Sequence, residues 1–278
     1  MTTDVGAPAS SAGGSDTGAP TTSTRSRFRR VKRGRWWSYE LDGHKLPSVT
    51  RLIGDGVPKP NLIDWAARAA AEWAADNVDE ISRLDRAAAI DVIKNAHNRT
   101  KQYGAAKGTD IHRQAQALAL GDTVEVPEAI AGYVDAYVAF LSDWSPEVIA
   151  VECALVSRRW AYAGTFDLLM GLPDISAEAP CMVDVKSGGS GVWPETCLQL
   201  AAYRHADAYV DADGAEQPMP ATGGGYALWL ADDGTYELLP VQSGPDLFAT
   251  FLHVAHVAAF AGRERDELIG LPLEAPRR

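Results

Sequence analysis

Asp167, Asp184 and Lys186 are the residues of this chain whose types and spacing could do chemistry. Asp167 closes Gly164-Thr165-Phe166-Asp167, which reads as an aspartate after a tight glycine turn; Val183-Asp184-Val185-Lys186 ends an apolar run. In a strand alternate side chains share a face, so Asp184 and Lys186 point the same way and Val185 turns to the core. With Asp167 on the neighbouring strand, two carboxylates and one ammonium meet at a sheet edge. Carboxylates that close repel unless a cation sits between them, and a hard ion such as Mg²⁺ prefers oxygen ligands. The set suits metal-assisted cleavage of a phosphodiester. One aspartate beside a glycine is more often a turn cap or an arginine partner, but two on adjacent strands with a lysine favour a site. Lys186 would orient the attacking water or stabilise charge on the phosphate; a plain salt bridge is its competing role.

Elements must position these groups. Strands are expected at 148–156, 162–170, 181–186, 226–230 and 236–241, the last two joined across Asp232-Asp233-Gly234. Helices are expected at 61–77, 82–96, 109–120, 128–144, 194–209 and 245–263, with a short one from Pro47-Ser48-Val49-Thr50 and a hairpin around Asp42-Gly43. The spacing thus predicts an α/β fold whose first half is mostly helical, in one domain over residues 36–263. Residues 1–35 are expected to be a disordered Ser/Thr/Gly/Ala/Pro-rich tail ending in a basic arm, and 264–278 a C-terminal tail.

The 278 residues are 46% hydrophobic, enough for a buried core, and carry a formal charge of −11. That charge is unevenly spread: Arg25, Arg27, Arg29, Arg30, Lys32, Arg33 and Arg35 form a run with no acid in it. Contact with nucleic acid would therefore be local. The basic arm with Phe28, Trp36 and Trp37 reads equally as a nucleic-acid grip and as a solvated tail. Cys153, Cys181 and Cys197 are isolated, which disfavours a disulfide framework or a zinc ribbon. There is no apolar stretch of spanning length and no signal-peptide pattern, so a cytoplasmic protein is expected, with no membrane partner.

The order Gly108-Thr109-Asp110-Ile111-His112, Glu152, Gly164-x-x-Asp167, Asp184-x-Lys186 and Gln199-x-x-x-Tyr203 resembles the PD-(D/E)XK nuclease superfamily, in its RecB-like and Cas4-like exonuclease branch. Leu46-Pro47-Ser48-Val49-Thr50 followed by Trp65 is similar to phage versions. The resemblance covers roughly 36–261 and implies a restriction-endonuclease-like core: a central mixed sheet flanked by helices, with metal at the strand ends. It implies Asp167, Asp184, His112 and the Val185 carbonyl as metal ligands, for Mg²⁺ with Mn²⁺ substituting. Glu152 would hold a second metal or position a water, or else pair with Arg158 or Arg159. Gln199 would steady Lys186 or the water, and Tyr203 would contact a phosphate. Cas4-like relatives that hold an iron–sulfur cluster use four cysteines; with three, no cluster is expected here.

The activity implied is a metal-dependent DNA exonuclease of recombination, repair or phage DNA processing, in the bacterial cytoplasm, or the host's if phage-encoded. Its partners would be DNA through Arg29, Arg30, Lys32, Arg33, Arg35 and Tyr203, a single-strand annealing or recombination protein, and further copies of itself in a homo-oligomer. An endonuclease cutting junctions, flaps or specific sites has the same motifs, and a non-catalytic DNA-binding or assembly protein could keep the scaffold. The loop Ser187-Gly188-Gly189-Ser190-Gly191 would let DNA approach the backbone.

Overall fold

Three long runs of apolar and alternating residues build the centre of the sheet: β4 (Glu147–Ser157), β5 (Tyr162–Leu172) and β6 (Ser176–Ser187). Before them come β1 (Phe28–Arg33), β2 (Trp36–Leu41), β3 (His44–Leu46), α1 (Val49–Gly56), α2 (Pro60–Asp76), α3 (Val78–Ile81) and α4 (Arg86–Ala119). α5 (Ala131–Trp144) follows a single 3₁₀ turn. After β6 come α6 (Glu195–Arg204), β7 (Ala208–Val210), β8 (Glu216–Pro218), β9 (Gly224–Leu230), β10 (Tyr236–Val241), α7 (Pro245–Ala261) and α8 (Arg265–Leu268). The computed structural model describes residues 28–34, 36–188 and 191–273. The expected disordered stretch 1–24, the basic residues Arg25, Arg27 and Arg35, and the loop residues Gly189 and Ser190 lie outside the described residues.

The main sheet has seven strands in the order β10-β9-β6-β5-β4-β7-β8. All neighbours are antiparallel except β6 and β9, which run parallel. α6 lies in the connection between that parallel pair, as a crossover requires. One face of the sheet carries Met182, Leu169, Phe166 and Leu155 against α1, α6 and α7; the other carries Leu168, Met170, Val183 and Val185 against α4 and α5. The fold is thus α/β: a mixed sheet with helices on both faces and a helical part near its N-terminal side. Among the described residues no helix is long and apolar enough to cross a membrane.

Several boundaries differ from the sequence reading. β1 pairs with β2 from Phe28↔Leu41 to Arg33↔Trp36, so residues 28–33 of the basic arm belong to a three-stranded sheet rather than a tail. Phe28, Tyr39 and Leu46 anchor that sheet on Ala154, Val156 and Ala163. The expected helices 82–96 and 109–120 are parts of one 34-residue helix, α4, roughly 50 Å long at 1.5 Å per residue. No helix starts at Thr109, whose hydroxyl donates to the Ala105 carbonyl at 2.9 Å within α4. Gly104 and Gly108 cost about 1 kcal/mol each inside a helix, and burial of Ile111 and Ala115 on the second half offsets this. The helix expected over 194–209 ends at Arg204, and Ala208–Val210 turns into β7, pairing with β4.

Candidate metal-binding site

The site lies where the central strands part, not at a sheet edge. The β5–β6 ladder runs up to Leu168↔Val183 and stops there, so Asp167 and Asp184 occupy the first positions past the last pair. Asp167 Oδ2 accepts a hydrogen bond from the Val185 backbone nitrogen at 2.7 Å. A carboxylate thereby takes the amide that a neighbouring strand's carbonyl would otherwise take. On the other side of β5, pairing with β4 skips the Glu152–Asp167 position, between Val151↔Leu168 and Cys153↔Phe166. Glu152 has φ 52°, a left-handed conformation rare in a strand. The alternation of faces slips there: Val151 and Leu168 pack toward α4 and α5, whereas Cys153 and Phe166 pack toward α1, α6 and α7. This distortion turns Glu152 and Asp167 toward α4.

α4 supplies His112, positioned by the burial of its neighbours Ile111 and Ala115. Its Nδ1 is 3.6 Å from Glu152 Oε1 and 3.6 Å from Asp167 Oδ2. One ligand atom from each of His112, Glu152 and Asp167 lies within 4.8 Å of the others. A small cavity of about 10 Å³, lined also by Val151, Val185 and Gln116, adjoins them; that is about the least that one water-sized body needs.

Asp184 and Lys186 share a face as the alternation requires, but it is the α6 face. Their side chains form an ion pair, with Asp184 buried and Lys186 partly exposed. Gln199 on α6 bridges them, its Nε2 donating to Asp184 Oδ1 at 2.8 Å and its Oε1 accepting from Lys186 Nζ at 3.3 Å. The same Nε2 reaches the Tyr203 hydroxyl at 3.3 Å. Tyr203 is buried and stands behind Gln199, so it belongs to a supporting layer and is not exposed to a phosphate. Gly164 is in mid-strand, not in a turn; a Cβ there would lie 2.7 Å from the Tyr203 ring, which is the reason for a glycine. Asp184 Oδ2 is buried, and the Lys186 ammonium is the cation it meets.

The electrostatics follow from three neighbouring carboxylates, Glu152 and Asp167 beside His112 and Asp184 buried on the other face. Burial drives Asp184 up to about 6, opposed by the Lys186 charge and aided by Asp167. Burial likewise raises Asp167, against the pull of His112. Burial alone would lower His112, but the Asp167, Glu152 and Asp184 carboxylates together hold it at about 9. For Lys186 burial is also outweighed, by Asp184 and Asp167, and its pKa rises. The imidazolium thus provides the positive charge the acids need, and a metal ion would replace its proton. Two carboxylates and an imidazole, with a third carboxylate adjoining, suit Mg²⁺ or Mn²⁺; the nitrogen donor favours Mn²⁺ of the two.

Of the predicted residues, the structure brings together His112, Glu152 and Asp167 as one group and Asp184, Lys186, Gln199 and Tyr203 as a second, back to back across the parted strands. Glu152 does not pair with Arg158, which binds Glu216 at 2.7 Å. Of the basic arm, Arg33 is bonded to Glu40 at 2.5 Å, and Arg29 is exposed on the same side of β1 as Arg33. Two contributors had escaped sequence reading. Tyr39 donates to or accepts from Thr165 Oγ1 at 2.8 Å, and Gln116 lines the cavity one turn after His112. The spacing 112–116 was a usable signal for the second.

No family model matches the chain, and no curated protein sequence matches it. Among solved structures, the crystal structure of SSO0001 is similar at a TM-score of 0.30 and 11% identity, over 77% of this chain and 84% of that one. At that score the likeness carries no weight for fold or function.

Proposed function

We propose that this chain is a metal-dependent deoxyribonuclease of the PD-(D/E)XK type, hydrolysing phosphodiester bonds as an exonuclease in the cytoplasm. The observation that carries the reading is the meeting of His112, Glu152 and Asp167 within 4.8 Å, beside the Asp184–Lys186–Gln199 group. When bound there, a divalent ion supplies Lewis-acid charge for a phosphoryl oxygen and acidifies water. His112, Glu152 and Asp167 would hold it, while Asp184 stays paired with Lys186 beside them. Lys186 provides a donor for the charge that develops on the phosphate. Gln199 fixes that ammonium and the Asp184 carboxylate in one geometry, and Tyr203 supports Gln199 from the core.

The test is cleavage of end-labelled linear DNA and closed circular DNA with Mg²⁺, Mn²⁺ or EDTA, beside Lys186→Ala. Metal-dependent loss of linear DNA alone, absent in the variant, is expected. Nicked or linearised circles would move the reading to an endonuclease. DNA binding without cleavage of either substrate would favour a non-catalytic scaffold.

A further inference from the structure

Outside the acidic cluster, the β1–β2 hairpin carries a basic and aromatic face. Strand alternation puts Phe28, Arg30 and Lys32 on one side of β1, and the register pairs Arg30 with Tyr39 and Lys32 with Trp37. The near part of this face is apolar and buried: Phe28 and Tyr39 stack at 6.2 Å and pack on Ala154 and Val156. Beyond it the face turns cationic. The Arg30 guanidinium lies 4.2 Å from the Trp37 ring centroid and the Lys32 ammonium 5.7 Å from it. Trp37 keeps 49% of its surface exposed, and Arg30 Nε is buried without a hydrogen-bond partner.

Phe28, Arg30 and Lys32 of this face line a groove of about 1760 Å³ between β1, β4, the end of α4 and the 210–214 turn, whose wall also carries Asp42, Glu152, Asp211 and Asp213 but not Trp37. Small-molecule pockets are roughly 300–1,000 Å³, so the groove suits a polymer. Gln116, Val151 and Glu152 line both the groove and the small cavity beside His112 and Asp167, so the two adjoin. The hairpin is pinned to the site by the Tyr39–Thr165 bond, two residues before Asp167. Across the groove, the Asp211 carboxylate is engaged by the Ala215 and Asp213 amides and by Gln217.

We infer that the Arg30–Trp37–Lys32 face is a subsite for a single nucleic-acid strand, leading along the groove to Glu152. Arg30 and Lys32 contact successive phosphates, and Trp37 offers a ring to an unpaired base. A base inside a duplex exposes no face for such stacking, so the subsite selects a single strand. The inference rests on the nuclease reading for its direction toward the cluster, but strand binding can be measured without cleavage.

The experiment is fluorescence anisotropy of a labelled oligothymidylate of roughly 15 nucleotides, beside a labelled duplex of the same length, in EDTA, at about 50 and 200 mM salt. Wild type is compared with Lys32→Gln, Arg30→Gln/Lys32→Gln, Trp37→Leu and, as control, Arg263→Gln, a surface cation beyond the end of α7 whose loss should leave affinity unchanged. The double variant should bind at least about tenfold more weakly at the lower salt, and its log–log salt slope should fall by about 1.4, at about 0.7 per phosphate. Trp37→Leu should weaken binding roughly fivefold or more with the slope retained. Lys32 is exposed and has no core contact to lose, so Lys32→Gln decides the matter even if Arg30→Gln folds poorly. Unchanged affinity and slope in Lys32→Gln, tighter binding of duplex than of strand, or no strand affinity in a wild type that cleaves would each overturn the subsite alone. A wild type that neither binds nor cleaves would overturn the nuclease reading with it.

Discussion

The Asp167 carboxylate accepts the Val185 amide at 2.7 Å, so one side chain both closes the gap between two parted strands and faces His112. Removing it therefore has two separable consequences. Asp167→Ala leaves a buried N–H without a partner, whereas Asp167→Asn keeps an acceptor. We expect Asp167→Ala to be less stable than Asp167→Asn by about 1–3 kcal/mol in urea unfolding, and both variants to lose cleavage. Equal stability would show that the bond contributes nothing to the fold.

Gln199 contacts both Asp184 and Lys186 but none of the His112–Glu152–Asp167 group. Gln199→Leu should slow cleavage by about 10–100-fold, as loss of a supporting hydrogen bond does at metal sites, while Mn²⁺ binding measured by calorimetry stays near wild type. Loss of Mn²⁺ affinity instead would mean that the two groups act as one ligand set.

The left-handed backbone of Glu152 predicts an inverted order of substitutions. In an ordinary strand Ala is preferred to Gly, but at φ 52° the Cβ is strained. Glu152→Gly should be more stable than Glu152→Ala by up to about 1 kcal/mol, and both should bind metal weakly. The usual order, Ala above Gly, would show that the strand relaxes once the acid is gone.

pH acts on the metal-free site in one direction. Folding raises His112 from 6.5 to about 9, so its contribution to stability is full below pH 6.5 and is lost as pH rises through about 9. Asp184, raised from 3.8 to about 6, has the same sign: its contribution is full below 3.8 and is lost on rising through about 6. Because an ion must displace the imidazolium proton, Mn²⁺ affinity should climb with pH up to about 9 and then level. Calorimetric titration from about pH 6 to about pH 10 checks this; in His112→Asn the part of the slope due to that proton should vanish. A flat profile in wild type would remove His112 from the ligand set.

The sequence by itself determined the local elements and the residues with reactive chemistry. Apolar alternation defines the cores of β4, β5 and β6, and its period of two requires Asp184 and Lys186 to share a face. The hairpin at Asp42-Gly43 and the pairing of β9 with β10 follow from turn residues between alternating runs. Three things were set only by tertiary structure. The helix spans its two glycines because its second half buries Ile111 and Ala115, a gain that no local propensity contains. β1, β7 and β8 exist because neighbouring strands accept their backbone groups; as sequence, 28–33 is only a basic run, and 208–210 and 216–218 are three residues each. The grouping at the site depends on where the β5–β6 ladder stops and on the slip at Glu152. Those decide that Asp167 turns to His112 on one face while Asp184 turns to Gln199 on the other. Side-chain period is a property of one strand and can be read from it, but the point at which two strands part depends on everything packed on both of their faces.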